Sequence, residues 1–380
     1  MHRTKILISI DWFLPGTKSG GPVRSYANLI EQLDEGFEFF IITRNTDFGT
    51  NEPYKDIIPN IWTKFNNYTK VFYCSADYLN KKHLKQLFTN THFDVAYVNG
   101  IYSYYFSILP VLLLKATSKP VIVSARGMLN PQAFSVKPFK KKVFINMAKL
   151  FSFYKNVQFH ATNNEEASYI KGVLGNSVEV KVAANLPRAL QLSLKNNISK
   201  HSPVRFVNLA RVSKEKGTLK MLNCLTQVNE ALSLDLYGPI YDENYWEKCQ
   251  AVIANLPDKI IVNYKGVAAS VEVPELLAEY DFFVLLSEGE NFGHAILEAL
   301  ASGLPVLISN QTPWRNLKKD SVGWDVDIND ENEIMAAFNV AINMTNHTYK
   351  QWSRSAYSYA KEFIENPKVL EENKALFLGN

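Results

Sequence analysis

Cysteine is scarce. Only Cys74, Cys224 and Cys249 occur in 380 residues, far apart and with no Cys-x-x-Cys pair. A disulfide framework or a cysteine zinc site is not expected, and a reducing cytoplasm fits. Long apolar runs are also missing. The longest, residues 101–114, is interrupted by polar residues and by Pro110, and falls short of the ~20 residues a membrane-spanning helix needs. The opening MHRTKILISID is too short in its apolar part for a signal peptide and reads as a first buried strand. There is no GxGxxG, no internal repeat, no heptad run and no low-complexity tract.

Acidic residues are missing from one long stretch: none occurs between Asp94 and Glu165. The net charge of +4 therefore hides a split. Residues 1–198 hold 24 Lys/Arg against 13 Asp/Glu, and residues 199–380 hold 17 against 24. A basic half beside an acidic half suggests that one of them meets an anionic partner.

What is present is a length that suits two domains and a hydrophobic content of 47%, enough for each to bury a core. Short apolar runs alternate with helical patterns. The runs are KILISI, FEFFIIT, VAYVNG, PVIVSA and VQFHAT in the first half, then VRFVNLA, LSLDLYG, IIVNYKG, DFFVLLS and PVLIS. Helices are expected over Val23–Leu33, Leu79–Phe88, Lys220–Ala231, Tyr245–Ala254, Val273–Glu279 and Tyr349–Glu365, with a short one reaching Phe377. Such alternation implies parallel sheets covered on both faces. The expected fold is α/β: two doubly wound Rossmann-like domains facing across a cleft. The polar stretch 195–203 serves as the linker. The expected domains are 1–198 and 199–355, with the C-terminal helix of 356–380 packing back on the first.

Ligands of open α/β sheets gather at the carboxyl ends of the strands, and four segments fall there. Ser19-Gly20-Gly21-Pro22-Val23-Arg24 lets the backbone approach a bulky group at a helix N-terminus, although a Gly-Gly turn can be merely a turn. Ala210-Arg211-Val212-Ser213-Lys214-Glu215-Lys216-Gly217 offers two cations, Arg211 and Lys216, that can neutralise a diphosphate; its plain alternative is a solvated basic loop. SEGENFGHAILEAL, residues 287–300, ends a strand and opens a helix. The amides of Asn291, Phe292 and Gly293 suit phosphate oxygens. Glu290 suits sugar hydroxyls, and Glu298, leaning back along the helix, suits a ribose diol. Both acids could equally be ordinary stabilisers of a helix start. Arg126 and His160, at two strand ends of the first half, would face a ligand from that side, though a lone histidine there is more often a packed core residue.

These segments together resemble the retaining glycosyltransferases of family 4, also called glycosyltransferase group 1, which have the two-domain GT-B fold. SEGENFGHAILEAL matches the family's E-x7-E motif through Glu290 and Glu298. ARVSKEKG matches its basic donor loop through Arg211 and Lys216. SGGP matches its N-terminal glycine loop through Gly20 and Gly21. LDLYGPIYDENYW and NYKGVAAS fall where the family places its nucleotide-binding strands. The resemblance implies transfer of a sugar from a UDP- or GDP-linked donor. Arg211 and Lys216 would hold the diphosphate, Glu290 the donor sugar and Glu298 the ribose. Gly20 and Gly21 would admit phosphates and acceptor, and Arg24, Arg126 and His160 would lie on the acceptor side. No cofactor and no metal are expected. The acceptor implied is a lipid-linked oligosaccharide of capsule, O-antigen or exopolysaccharide. Two departures, Asn291 where many members have glycine and Asn99 where relatives often have histidine, leave the donor sugar open.

Residues 137–155, KPFKKKVFINMAKLFSFYK, carry Lys137, Lys140, Lys141, Lys142, Lys149 and Lys155 and no acid. Phe139, Phe144, Ile145, Phe151 and Phe153 are interleaved with them. This reads as an interfacial helix on an anionic inner membrane, or as a helix packed by its aromatic face with solvated lysines. The expected location is cytoplasmic and peripheral at that membrane. Two other classes stay open: a nucleotide-sugar epimerase of the same fold, which needs an acid/base set in the first domain, and a nucleic-acid binder, for which no motif is present. Asp325-Val326-Asp327 is a DxD, a metal-binding signature in another glycosyltransferase fold; here it reads as a surface turn.

Overall fold

The computed structural model describes residues 3–33, 35–131, 138–189, 192, 194 and 198–378. The chain forms two compact units, Met1–Ala189 with Pro367–Asn380 and Leu190–Asn366. The divide expected at 198/199 thus falls at 189/190, and the chain crosses back at 366/367.

The first unit is built on an eight-stranded sheet in the order β3-β4-β2-β1-β5-β6-β7-β8. Its strands are β1 (Thr4–Ser9), β2 (Phe37–Arg44), β3 (Trp62–Lys64), β4 (Thr69–Cys74), β5 (Val95–Asn99), β6 (Val121–Ser124), β7 (Gln158–Ala161) and β8 (Glu179–Val182). Only the edge strand β3 runs antiparallel to its neighbour. The second unit has a six-stranded, fully parallel sheet in the order β11-β10-β9-β12-β13-β14. Its strands are β9 (Val204–Leu209), β10 (Leu232–Tyr237), β11 (Ile260–Tyr264), β12 (Phe282–Leu285), β13 (Val306–Ser309) and β14 (Gly323–Val326).

The near-continuous apolar runs have a direct cause. Successive side chains of a strand point to opposite faces, and here both faces are covered. On β1, Leu7 enters one core layer while Ile6 and Ile8 enter the other. On β12, Phe282 and Val284 face one layer and Phe283 and Leu285 the other. Helices begin at side-chain caps that satisfy otherwise unpaired amides. Asn80 accepts from His83 N, Asn163 from Glu166 N, Asp242 from Tyr245 N, and Asp330 from Asn332 N and Glu333 N.

The last helix, Pro367–Leu378, belongs to the first unit. Phe377 stands edge-on to Phe37 and Tyr97, at centroid distances of 6.0 and 5.3 Å. Asn373 Nδ2 donates to Ala184 O at 2.8 Å. The preceding helix, Asn346–Ile364, stays with the second unit, where Ala356 and Ala360 are fully buried.

Each sheet has one place where the strand order reverses. In the first unit it lies between β1 and β5, in the second between β9 and β12. At such a point the loops leave in opposite directions and open a crevice for a ligand.

Candidate functional site

Two loops meet at the reversal point of the second unit. One follows β9 and carries Arg211 and Lys216; the other follows β12 and carries Glu290. Backbone bonds join them: Glu288 N donates to Glu215 O at 2.8 Å and Ser287 Oγ to the same carbonyl at 3.2 Å. Glycine permits this approach. Gly217 has φ +69°, and a Cβ there would stand 1.9 Å from Leu286 O. The second loop is tied in turn to the loop after β13, by Glu290 N to Gln311 O at 3.1 Å and by Trp314 Nε1 to Phe292 O at 2.6 Å.

Within this frame Lys216 Nζ donates to Glu290 Oε1 at 2.5 Å, both side chains mostly covered. Arg211 and Lys216 also act on one further carboxylate, which sequence reading passed over. Burial alone would raise the Glu215 carboxyl. Its own backbone amide, the Ser213 hydroxyl and the charges of Arg211 and Lys216 together hold it below its ordinary value. Both cations thus lie near Glu215 on the same loop.

The helix His294–Ala301 starts at Gly293, which is left-handed with φ +81°. The amides of Phe292, Gly293 and Ala295 donate to nothing among the described residues. Asn291, the third residue expected to offer an amide, is half-buried. Phe292 holds this loop by its ring, 5.7 Å from Trp314 and 5.8 Å from Phe363. The ring is buried, 6% exposed, and so fixes the backbone on which the amides stand. Glu298 lies on the same helix and is 5% exposed. The loops after β10 and β11 are joined by Gly238 N to Gly266 O at 2.8 Å and Tyr264 Oη to Gly238 O at 2.9 Å. They follow the same end of the sheet.

In the first unit Gly20, with φ +74°, precedes the helix Gly21–Gln32, and a Cβ at either glycine would meet no atom within 4 Å. Arg24 sits one turn into that helix, partly exposed. Arg126 follows β6 with φ +52°, a conformation non-glycine residues seldom hold without compensation. The compensation is visible. Its guanidinium lies 4.7 Å over the Tyr26 ring and donates to Asn185 Oδ1 and, at 3.4 Å, to Tyr97 Oη. His160 is a core residue rather than a group presented to a ligand. It is 1% exposed, its Nε2 donates to Ala183 O at 2.8 Å, and its Nδ1 accepts from Tyr97 Oη. Burial, then the Arg126 charge, pushes its pKa down to about 3.

The DxD lies on the edge strand β14 and the turn after it, not beyond the sheet. Asp325 accepts the amides of Asn316 and Leu317, both at 3.0 Å, and Asp327 accepts Asn329 N at 2.9 Å. Both carboxylates cap turns. Among the described residues no cluster of three or more His, Cys, Asp or Glu side chains could hold a metal ion.

Lys137 lies outside the described residues. Lys140, Lys142 and Lys149 are exposed on the helix Pro138–Leu150, and Lys141 Nζ lies 5.4 Å over the Tyr102 ring. The apolar residues divide differently from the expectation. Ile145 and Ala148 are buried and Phe144 and Phe153 half-buried, whereas Phe139, Val143, Met147, Leu150 and Phe151 are exposed. No helix among the described residues is long and apolar enough to cross a membrane.

Comparison with known proteins adds four findings. The whole chain superposes on HepE of Anabaena in complex with UDP and glucose, with a TM-score of 0.72, 16% identity and 98% of each chain covered. It superposes on WaaG, a glycosyltransferase involved in lipopolysaccharide biosynthesis, with a TM-score of 0.67, 12% identity and 99% and 100% of the two chains covered. At these identities the likeness shows the fold, the two-unit GT-B architecture. In sequence the chain is 24% identical over 197 residues to the GtfA subunit of a UDP-N-acetylglucosamine–peptide N-acetylglucosaminyltransferase of Streptococcus pneumoniae. That match spans 47% of this chain and 38% of the relative. Residues 192–359 match the family described as glycosyl transferases group 1. This match takes in Arg211, Lys216, Glu290 and Glu298, so the second unit is similar in sequence to that family, on a chain with the GT-B fold.

Proposed function

We propose that this chain is a retaining, family 4 glycosyltransferase. It would move a sugar from a UDP- or GDP-linked donor to a lipid-linked glycan in the making of capsule, O-antigen or exopolysaccharide. The observation that carries the donor half is the meeting of Lys216, Arg211 and the amides of Phe292, Gly293 and Ala295 at the reversal point of the second sheet. When the bond from the anomeric carbon to the β-phosphate oxygen breaks, the departing diphosphate gains negative charge. Cations and amides fixed beforehand around it lower the barrier, because they need not reorganise as the charge appears. Glu290, held by Lys216, accepts hydroxyl hydrogens of the donor sugar, and Glu298 those of the ribose. The roles match those of the resembling family residue by residue. The UDP and glucose bound by HepE and the UDP-N-acetylglucosamine named for the streptococcal relative support a uridine donor. The lipopolysaccharide role of WaaG supports a surface glycan.

The membrane side rests on the helix Pro138–Leu150. Its exposed apolar side chains recur at 139, 143, 147 and 150, a spacing that keeps them in one stripe. Lys140 flanks one side of this stripe, and Lys142 and Lys149 the other. Such a helix can lie in an anionic interface with its apolar stripe inserted. Each lysine near the surface adds about 1 kcal/mol.

The donor assignment is tested by thermal unfolding with UDP, GDP and a panel of nucleotide sugars. One nucleotide class should raise the melting temperature at millimolar concentration. No protection by any of them would sink the assignment.

A further inference from the structure

The reversal point of the first unit carries a polar group that no family motif above includes. Asp11 follows β1, Arg44 ends β2 and Ser103 follows β5. Ser103 Oγ donates to Asp11 Oδ1 at 2.8 Å, so this bond spans the reversal point. Arg44 Nη2 and Nε reach the same oxygen at 3.3 and 3.4 Å. All three contacts fall on Oδ1. Among the described residues nothing donates to Oδ2. The loop backbone is fixed as well, since Arg44 N and Thr43 Oγ1 both donate to Asp11 O at 3.2 Å.

This carboxylate is neither a buried core ion nor a freely solvated one. The Asp11 side chain is 14% exposed and that of Arg44 30%. Burial raises the Asp11 pKa even though Ser103 and Arg44 act to lower it. The partners present therefore do not fully replace the water the carboxylate has lost. Aromatic surface lies alongside. Trp12 is partly exposed and meets Phe48 edge-on at 5.0 Å, and Arg44 stacks 5.0 Å over Phe106 and 5.9 Å over Trp12. A few fixed polar atoms among aromatic rings at a strand-order reversal describe a small-ligand site.

The sign of the charge selects the ligand. In the second unit the equivalent point gathers cations and free amides, which suit a diphosphate. Here the available atom is a carboxylate oxygen, which repels phosphate and accepts hydrogen bonds from hydroxyls. We infer that Asp11, with Arg44 and Ser103 orienting it and Trp12 beside it, binds hydroxyls of the acceptor's terminal sugar. This rests on the glycosyl-transfer reading above, and adds where the uncharged sugar of the acceptor is held. Asp11 is a binding residue; Ser103 and Arg44 position it.

The test uses the full chain and methyl glycosides of glucose, galactose, mannose and N-acetylglucosamine, followed by saturation-transfer NMR. The variants are Asp11→Asn and Trp12→Leu. The asparagine is nearly isosteric and can still accept from Ser103, but it turns a donor toward the ligand. At least one glycoside should bind the wild type, and Asp11→Asn should weaken it tenfold or more, as expected for a lost hydrogen bond to a charged group. Trp12→Leu, which leaves the carboxylate intact, should weaken the same glycoside. Melting curves with UDP and GDP on the same samples report the second unit separately. Equal glycoside binding by wild type and both variants, or none by the wild type, would overturn the assignment. Glycoside binding that depends on Asp11 without any nucleotide effect would keep this site and overturn the donor reading instead.

Discussion

Lys216 Nζ and Glu290 Oε1 sit 2.5 Å apart across the reversal point of the second sheet, one on each of the two loops that open there. Each charge is held in place by the other. Removing either one leaves its partner partly buried without a counter-charge, a situation more costly than losing both.

Lys216→Ala and Glu290→Ala should each lower kcat by roughly 10²–10³-fold, the cost of one transition-state charge contact. Arg211→Ala should do the same. Arg211→Ala should move the melting temperature little, whereas Lys216→Ala and Glu290→Ala should each lower it, because each leaves a partly buried charge unpaired. In a double-mutant cycle the Lys216 and Glu290 losses should fall well short of adding, because the two act as a unit. Near-normal activity in all three single variants would remove these residues from the site.

Turnover should persist in EDTA. Arg211, Lys216 and the amides at Phe292, Gly293 and Ala295 supply the positive potential that a divalent ion supplies in metal-dependent transferases. An absolute requirement for Mg²⁺ or Mn²⁺ would contradict this and return attention to Asp325 and Asp327.

Acid should weaken the fold in a defined window. The unfolded chain protonates His160 near 6.5, the folded chain only near 3. Between those values unfolding takes up a proton. The contribution is therefore complete above pH ~6.5 and is lost as pH falls toward 3, at about 1.4 kcal/mol per pH unit. Urea unfolding at pH 6.5, 5.5 and 4.5 should show a shallower loss for His160→Gln than for wild type. Identical slopes would mean that His160 does not carry this proton.

Gly217→Ala should cost roughly 2 kcal/mol or more, because it forces a side chain into the left-handed region and toward Leu286 O. Gly21→Ala, where a Cβ meets nothing within 4 Å, should cost less than about 0.5 kcal/mol. Chemical-denaturation midpoints compare the two directly, and equal losses would contradict the account of why the two loops meet.

On vesicles containing anionic lipid the wild type should pellet. A variant with Lys140, Lys142 and Lys149 changed to Glu should not, and a variant with Phe139, Leu150 and Phe151 changed to Ser should pellet less. Zwitterionic vesicles should bind neither variant nor wild type strongly. If all three proteins sediment alike on anionic vesicles, the helix Pro138–Leu150 is no anchor.

Most buried strands were legible because both faces of each sheet are covered, so β1, β2, β5, β9, β10, β12 and β13 read as apolar runs, whereas the buried β4, TKVFYC, was passed over. The edges were less so. The β8 stretch EVKV is half-buried or exposed along its length, and β14, GWDV, is four residues with a glycine and an acid. The helix Glu331–Asn343 does carry a signal, Asp330 as its cap and Ile334, Ala337, Phe338 and Ala341 along one face, but a reading led by strands passes over it. The candidate donor residues were readable because each lies in a short contiguous motif. Asp11 was not, since its partners Arg44 and Ser103 stand 33 and 92 residues away in sequence and only the sheet order joins them. For the basic helix the lysines were readable, whereas which aromatics face outward depended on packing.

The return of helix Pro367–Leu378 to the first sheet bears on how the protein emerges from the ribosome. Everything the second unit needs has been synthesised by residue 366, while Phe37 and Tyr97 still wait for Phe377 and Ala184 O for Asn373. Although chains generally fold their N-terminal domains first during synthesis, here the unit begun first is completed last. Truncation after Asn366 would spare the second unit and leave the first with an open apolar seam.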